Sequence, residues 1–375
     1  MLVKASLAYP LAAAINFFSV TGLLIIAGLL GIQDLAAEIG VVQGACIAVF
    51  LSLSGNARSL ILADSSDNDE RSLFHFRLLL LLPAVVVAFF LVASLVEIPI
   101  SLIVGLVLRK SSEWIAELQL ANREKHTDIL FANRYIKVNV LGFLFLVLML
   151  VFSWMTAFYF VLSIWAILPI IFTWPYIRWI YGVKGFNLSF KRFIPHVGSS
   201  TVIGITTYVF RVLMLLLAGK MLSGQMFTAY ALGGVVSALY TYALGPTLLL
   251  RGKNNKTPII LFVLITVIIG SAVCLLTYFW GSEFSSRLFV YAIGFSLMGG
   301  GIMLWAQRRR LYLLQVAKKD VFVPDALINI LIIVSIPFFY YAFGEASFAI
   351  FFLWSAILNL FFYALLGLKN RIGNI

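Results

Sequence analysis

Twelve long apolar runs decide what this chain can become. They lie at about 5–30, 36–60, 77–96, 98–116, 138–155, 157–180, 199–219, 226–249, 257–279, 287–306, 322–342 and 346–367. A helix crossing a bilayer needs about 20 apolar residues, because a rise of 1.5 Å per residue must cover a hydrocarbon core of about 30 Å. The strict alternation of a membrane β-barrel is absent from these runs. The chain is 62% hydrophobic and 11% charged, whereas soluble domains run near half and a quarter, so a soluble domain is excluded. Twelve helices take roughly 240 residues and leave about 135, too few for an added soluble catalytic domain of ordinary size. The expected fold is therefore an all-α polytopic membrane protein with about twelve transmembrane helices. The run from Ala5 to Leu30 is too long for a cleaved signal peptide and reads as the first span. Arg109 and Lys110 interrupt the fourth run, so its helix is expected to continue out of the membrane as a polar extension. Pro10, Pro83, Pro169, Pro246 and Pro337 fall inside runs, and each marks a kink or break.

The loops alternate sharply in charge. With the N-terminus placed in the cytoplasm, 24 of the 27 Lys and Arg fall on inner segments, Arg109 and Lys110 among them. Lys220 and Arg287 fall outside, and Arg211 falls in mid-span. The positive-inside rule then puts both termini in the cytoplasm. Topology and attraction to anionic lipid head groups explain the net charge of +12, which removes nucleic acid as its reason.

A polar stretch divides the chain into an N-terminal six-helix lobe, 1–182, a basic cytoplasmic linker, 183–198, and a C-terminal six-helix lobe, 199–375. The halves echo each other weakly. Ala27-Gly28 matches Ala218-Gly219 after 191 positions, and Gly44 and Gly55 match Gly234 and Gly245 after 190. Six spans return a chain to its starting side, so such a repeat is parallel, which is a transporter architecture.

Enzyme signals are scarce. His75, His126 and His196 show no pair at metal-ligand spacing. No phosphate loop, nucleophile elbow or zinc-protease helix occurs. No cofactor and no metal are expected. Cys46 and Cys274 lie in apolar runs and read as small hydrophobes, which rules out a disulfide framework.

Two arginines are more informative. Arg211 stands near the middle of the seventh run, where a charge is expensive and normally faces a cavity or a partner. The nearest carboxylates within the runs, Glu38 and Asp325, sit near span ends, so an anionic ligand or a watery lumen is one reading and packing on helix carbonyls is the other. Arg58 stands in Ser52-Leu-Ser-Gly-Asn-Ala-Arg-Ser59, where Arg58, Asn56 and Ser59 could donate to a phosphate. An ordinary inner anchor is the plain alternative. Tyr240-Thr-Tyr-Ala-Leu-Gly-Pro246 offers Tyr240 and Tyr242 to a sugar. The segment from Arg109 to Lys137 carries Trp114, Leu118 and Ala121 on one helical face, so it lies on the membrane surface or packs on the bundle.

With these features assembled, the chain resembles the polysaccharide flippases of the multidrug/oligosaccharidyl-lipid/polysaccharide exporter superfamily. The likeness covers nearly the whole length. It rests on six-plus-six spans, the kinked first span, and the stretches Leu118-Gln-Leu-Ala-Asn-Arg-Glu-Lys125, Tyr208-Val-Phe-Arg-Val and Ala229-Tyr-Ala-Leu-Gly-Gly234. The resemblance implies a bacterial inner-membrane flippase that moves an undecaprenyl-pyrophosphate-linked oligosaccharide by alternating access, with no covalent chemistry. It also implies cavity arginines that hold the head group, here Arg211 and Arg58. Asn56, Tyr208, Tyr240 and Tyr242 complete the expected substrate-binding set. The implied partners are the lipid-linked glycan, membrane lipids and other polysaccharide assembly proteins. Relatives often carry an acidic residue before the seventh-span arginine, whereas Phe210 stands here. A drug or ion exporter of the same superfamily and a membrane glycan polymerase or transferase are the alternatives.

Overall fold

The computed structural model describes residues 2–54, 57–62, 67–94, 97–181, 194–240, 257–280, 284–315 and 320–372. Among these residues every regular element is helical. They are α1 Leu2–Leu29, α2 Gln33–Cys46 with a π-helical turn at Ile47–Leu51, α3 Ala57–Leu62 and α4 Asp67–Ala93. Next come α5 Ile100–Lys125, α6 Ile129–Val151, α7 Met155–Tyr181 and α8 Ile194–Ala238. α9 Thr257–Trp280, α10 Phe284–Gln315, α11 Phe322–Phe343 and α12 Ala346–Ile372 complete the set.

Ten of the described helices are long and apolar enough to cross a membrane. The protein is an all-α polytopic membrane protein. α8 contains two crossings: its apolar part runs for 42 residues, roughly 63 Å at helical rise and about twice the hydrocarbon core. The break between them is Gly219, whose φ of 72° and ψ of 175° are not helical. Only a residue without Cβ adopts that conformation without strain. α5 is the apolar run that falls short on composition, because Arg109, Lys110, Glu113 and Glu117 lie within it.

The glycine correspondence expected between the halves needs a correction. Gly28 sits inside α1. The residue that ends the first span in the left-handed region is Gly31, with φ 80°, as Gly219 does in the second half. The conformational equivalents are therefore 188 positions apart.

The chain divides into two compact units, residues 1–30 with 38–208, and residues 31–37 with 209–375. The division falls within α8, between Tyr208 and Val209. Most of the expected linker at 183–198 lies outside the described residues. In the first unit α5 packs against α1, α3, α4 and α7, and α6 against α1 and α7. In the second unit α10 packs against α9 and α12, and α11 against α12. Counted by span, both units thus join their third to their fourth, fourth to sixth and fifth to sixth helices.

Small residues set the close approaches. A Cβ on Gly300 of α10 would stand 2.6 Å from the Gly233 carbonyl oxygen of α8. A Cβ on Gly204 of α8 would stand 3.0 Å from the Ile47 carbonyl oxygen, which belongs to the π-helical turn. Large apolar side chains such as Leu79, Leu82, Phe90, Leu216 and Tyr341 are exposed, as side chains that meet lipid are.

Candidate functional site

The first unit is built around a charged helix. Arg109 is nine residues into α5, about 14 Å along it. It is fully buried. Its Nε donates to Glu113 Oε1 at 2.6 Å, and Lys110 Nζ donates to Glu113 Oε2 at 2.7 Å. Ser19 Oγ also donates to Glu113 Oε1, and Asn16 Nδ2 donates to the Glu113 carbonyl at 3.0 Å. Tyr135 of α6 donates in turn to Asn16 Oδ1. One carboxylate therefore holds two cations and ties α1 to α5.

The expectation that the helix continues past Arg109 and Lys110 agrees with α5, which runs to Lys125. Both cations lie near the middle of the helix and are paired there with Glu113, about 20 Å along it. Trp114, Leu118 and Ala121 are buried, so of the two readings of this segment the structure takes packing on the bundle.

Proline explains a further contact. Pro169 has no N–H to donate to the carbonyl four residues earlier. That carbonyl belongs to Trp165, and Arg109 Nη1 donates to it at 2.8 Å. The guanidinium also lies 3.8 Å from the Trp165 ring centroid, a cation–π contact in a desolvated place.

Two more pairs follow along α5. Arg77 of α4, fully buried, donates to Glu117 Oε2 at 2.9 Å and lies 5.0 Å from the Trp114 ring. Arg58 of α3 donates to Glu124 Oε2 through Nη2 at 2.7 Å and Nε at 3.2 Å, both side chains being buried. Trp114 Nε1 donates to Ser54 Oγ at 2.9 Å, just after the π-helical turn. Glu113, Glu117 and Glu124 thus share one face, at spacings of four and seven residues.

In the second unit Arg211 is eight residues before Gly219, about 12 Å along its helix. It is half-buried, with its guanidinium 5.7 Å from the Phe227 ring centroid. Phe210 packs on Phe351 at 5.4 Å and Tyr230 at 5.6 Å. Asp325, fully buried, receives Arg310 through Nε at 3.2 Å on Oδ1 and Nη2 at 2.7 Å on Oδ2, and accepts from Tyr363.

The remaining candidates are placed as follows. Tyr208 donates to the Leu91 carbonyl at 2.6 Å, one of the last carbonyls of α4. Tyr240 is buried among Leu304, Leu311 and Val236, and its hydroxyl accepts from Arg308. Asn56 and Tyr242 lie outside the described residues. Arg58 and Tyr208 belong to the first unit, Arg211 and Tyr240 to the second.

No protein-family model and no curated protein matches the sequence. A solved structure described as an inward-facing conformation of a multidrug resistance MATE family transporter of the MOP superfamily is similar to this chain. It shares 13% identity with a TM-score of 0.49, over 96% of this chain and 93% of the other.

Proposed function

We propose that the protein is a transporter that moves a lipid-linked glycan, carried on an isoprenoid pyrophosphate, from the inner to the outer leaflet of a bacterial inner membrane. The observation that carries this reading is Arg211: a cation midway along a membrane helix whose guanidinium is turned onto the protein's own Phe227. A charge at that depth is retained where it serves a ligand or a partner. The sequence resemblance supports the choice of substrate, and the helix packing common to both units supports alternating access. No covalent change in the glycan is part of this mechanism. Deleting the gene should trap complete lipid-linked repeat units on the inner leaflet. Export of single units that never polymerise would favour a polymerase instead.

An exporter of small molecules or ions from the same superfamily is the second reading. Buried carboxylates, expected of a carrier coupled to protons or sodium, are present at Glu113 and Asp325. Both are already engaged by Arg109, Lys110 and Arg310, which favours structural roles. Uptake by proteoliposomes of a fluorescent cationic drug, driven by an imposed proton gradient, would move the balance to the exporter.

A further inference from the structure

Three buried polar atoms of the first unit take no partner from the protein. Among the described residues, Arg109 Nη2 and Trp165 Nε1 are donors without an acceptor, and Asn139 Oδ1 is an acceptor without a donor. All three side chains are buried, and groups of this kind are costly to leave dry. They belong to one neighbourhood. The Arg109 guanidinium lies over the Trp165 ring, 3.8 Å from its centroid, so Nη2 stands above the ring that carries Nε1. The Nε1 edge of that ring faces α6: a Cβ on Gly142 would meet Trp165 Cδ1 at 2.7 Å and Nε1 at 3.6 Å. Asn139 precedes Gly142 by three residues and follows Tyr135 by four, so the three line one face of α6. Tyr135 donates to Asn16, which is itself bonded to the Glu113 carbonyl. Asn139 is thereby bracketed along α6, by the Arg109 and Glu113 cluster on one side and the Trp165 indole on the other. Its orientation is fixed, because Nδ2 donates to the Tyr135 carbonyl at 2.9 Å and a carbonyl can only accept.

We propose that Arg109, Trp165 and Asn139 hold one enclosed water molecule where α5, α6 and α7 pack together. Water answers two donors and one acceptor at once: its oxygen receives from Arg109 Nη2 and Trp165 Nε1, and one of its protons goes to Asn139 Oδ1. A chloride ion would satisfy the donors and repel Oδ1, and a metal cation would satisfy Oδ1 and repel the guanidinium. The water completes the bonding of Arg109, whose Nε is held by Glu113 and whose Nη1 is held by the Trp165 carbonyl. Trp165 thus meets Arg109 twice, directly through the carbonyl that Pro169 leaves open and through water from its indole. The site does not depend on what the protein carries.

Hydroxyl-radical labelling of the protein in nanodiscs, with radicals made from water by a brief X-ray pulse, tests this. The radical oxidises side chains beside the water it came from, so a buried tryptophan reports water next to it. Trp165 should be oxidised although it is fully buried. Trp114 is the dry control, being buried with its Nε1 bonded to Ser54. Trp154, exposed between α6 and α7, is the wet one. After rapid mixing into heavy-oxygen water, the Trp165 product should keep light oxygen while that of Trp154 takes the heavy isotope. Asn139→Leu, which removes the acceptor at similar size, should lose the Trp165 product, and unchanged oxidation in that variant would overturn the shared site. An unoxidised Trp165 in wild type sinks the proposal whether or not the variant folds. Heavy oxygen at Trp165 from the start also sinks it, since the place would then be continuous with bulk water. Replacing chloride by gluconate should leave the melting temperature unchanged. A fall in wild type that is absent from Trp165→Phe would assign the place to an anion and overturn the water.

Discussion

Replacing Glu113 by Gln preserves the side chain's size and leaves a carbonyl oxygen to accept, yet it removes the negative charge that Arg109 and Lys110 share at 2.6 and 2.7 Å. Breaking a buried ion pair from one side costs about 3–5 kcal/mol, because the partner stays behind uncompensated. Arg109 sets that penalty. Its side chain is fully buried, whereas the Lys110 side chain is 13% exposed and its Nζ also donates to the Phe17 carbonyl at 3.1 Å. Lys110→Met should behave differently although it also deletes a short salt bridge. It leaves Arg109 and Glu113 as a matched pair, forfeits a bond worth about 1 kcal/mol, and relieves the desolvation of a second cation. Its net effect should lie within about 1 kcal/mol of zero. Unfolding in mixed micelles by SDS titration gives both values. Adding Arg109→Met to Glu113→Gln should recover most of the loss, since Lys110 alone can lean toward its exposed side. Equal costs for Lys110→Met and Glu113→Gln would refute charge balance as the organising principle of this helix.

Other expectations are open to direct measurement. Arg211→Ala should abolish or sharply reduce glycan export while membrane insertion, read by expression and gel filtration, is unchanged. Arg211→Lys should keep part of the activity, since the charge stays and the fork is lost. Gly300→Ala should lower the melting temperature, because its Cβ meets the backbone of Gly233 and overpacking of this kind costs about 1–3 kcal/mol. Asp325→Ala should cost about 3–5 kcal/mol, and joining Arg310→Met with Asp325→Leu should restore much of it. Single cysteines introduced at Asp67 and Lys125 should resist an impermeant reagent added from outside, whereas one at Gln33 should react. Reaction at residue 125 from outside would invert the topology.

The helices were legible because apolarity over 20 residues is a property of the chain alone. Each described span coincides with one of the twelve runs, and Gly219 falls at the end of the seventh run. Charge partners were not legible, because a sequence gives a charge without its neighbour. The cluster around Arg109 was hidden because Asn16 and Ser19, which complete it, are more than 90 residues from Glu113. Two signals were nevertheless present. Arg109, Glu113, Glu117 and Glu124 recur at helical spacing. Pro169 inside a span announces an unpaired carbonyl at Trp165, and a buried donor must be near it. The misplaced Gly28 has a different cause: sequence identity between repeats shows residue type, while the turn is specified by φ at Gly31.

The buried cations also bear on orientation. Arg77, Arg109 and Lys110 were counted among the inner charges, yet their guanidinium and ammonium groups are engaged with Glu117 and Glu113 inside the bundle. A paired charge within a helix says little about which loop faces the cytoplasm. Setting the three aside still leaves 21 inner cations against the two at Lys220 and Arg287, so the direction of the bias stands. On that orientation α5 runs inward, and its ion pairs succeed one another from Arg109–Glu113 near mid-helix to Arg58–Glu124 at the inner end. Arg58 would then lie toward the leaflet where a lipid-linked substrate is made. Reversing the orientation would put Arg58 on the outer side, where capture of a pyrophosphate serves no outward transport. The cysteine-labelling result at residue 125 therefore decides between a loading role and no transport role for Arg58, independently of any binding measurement.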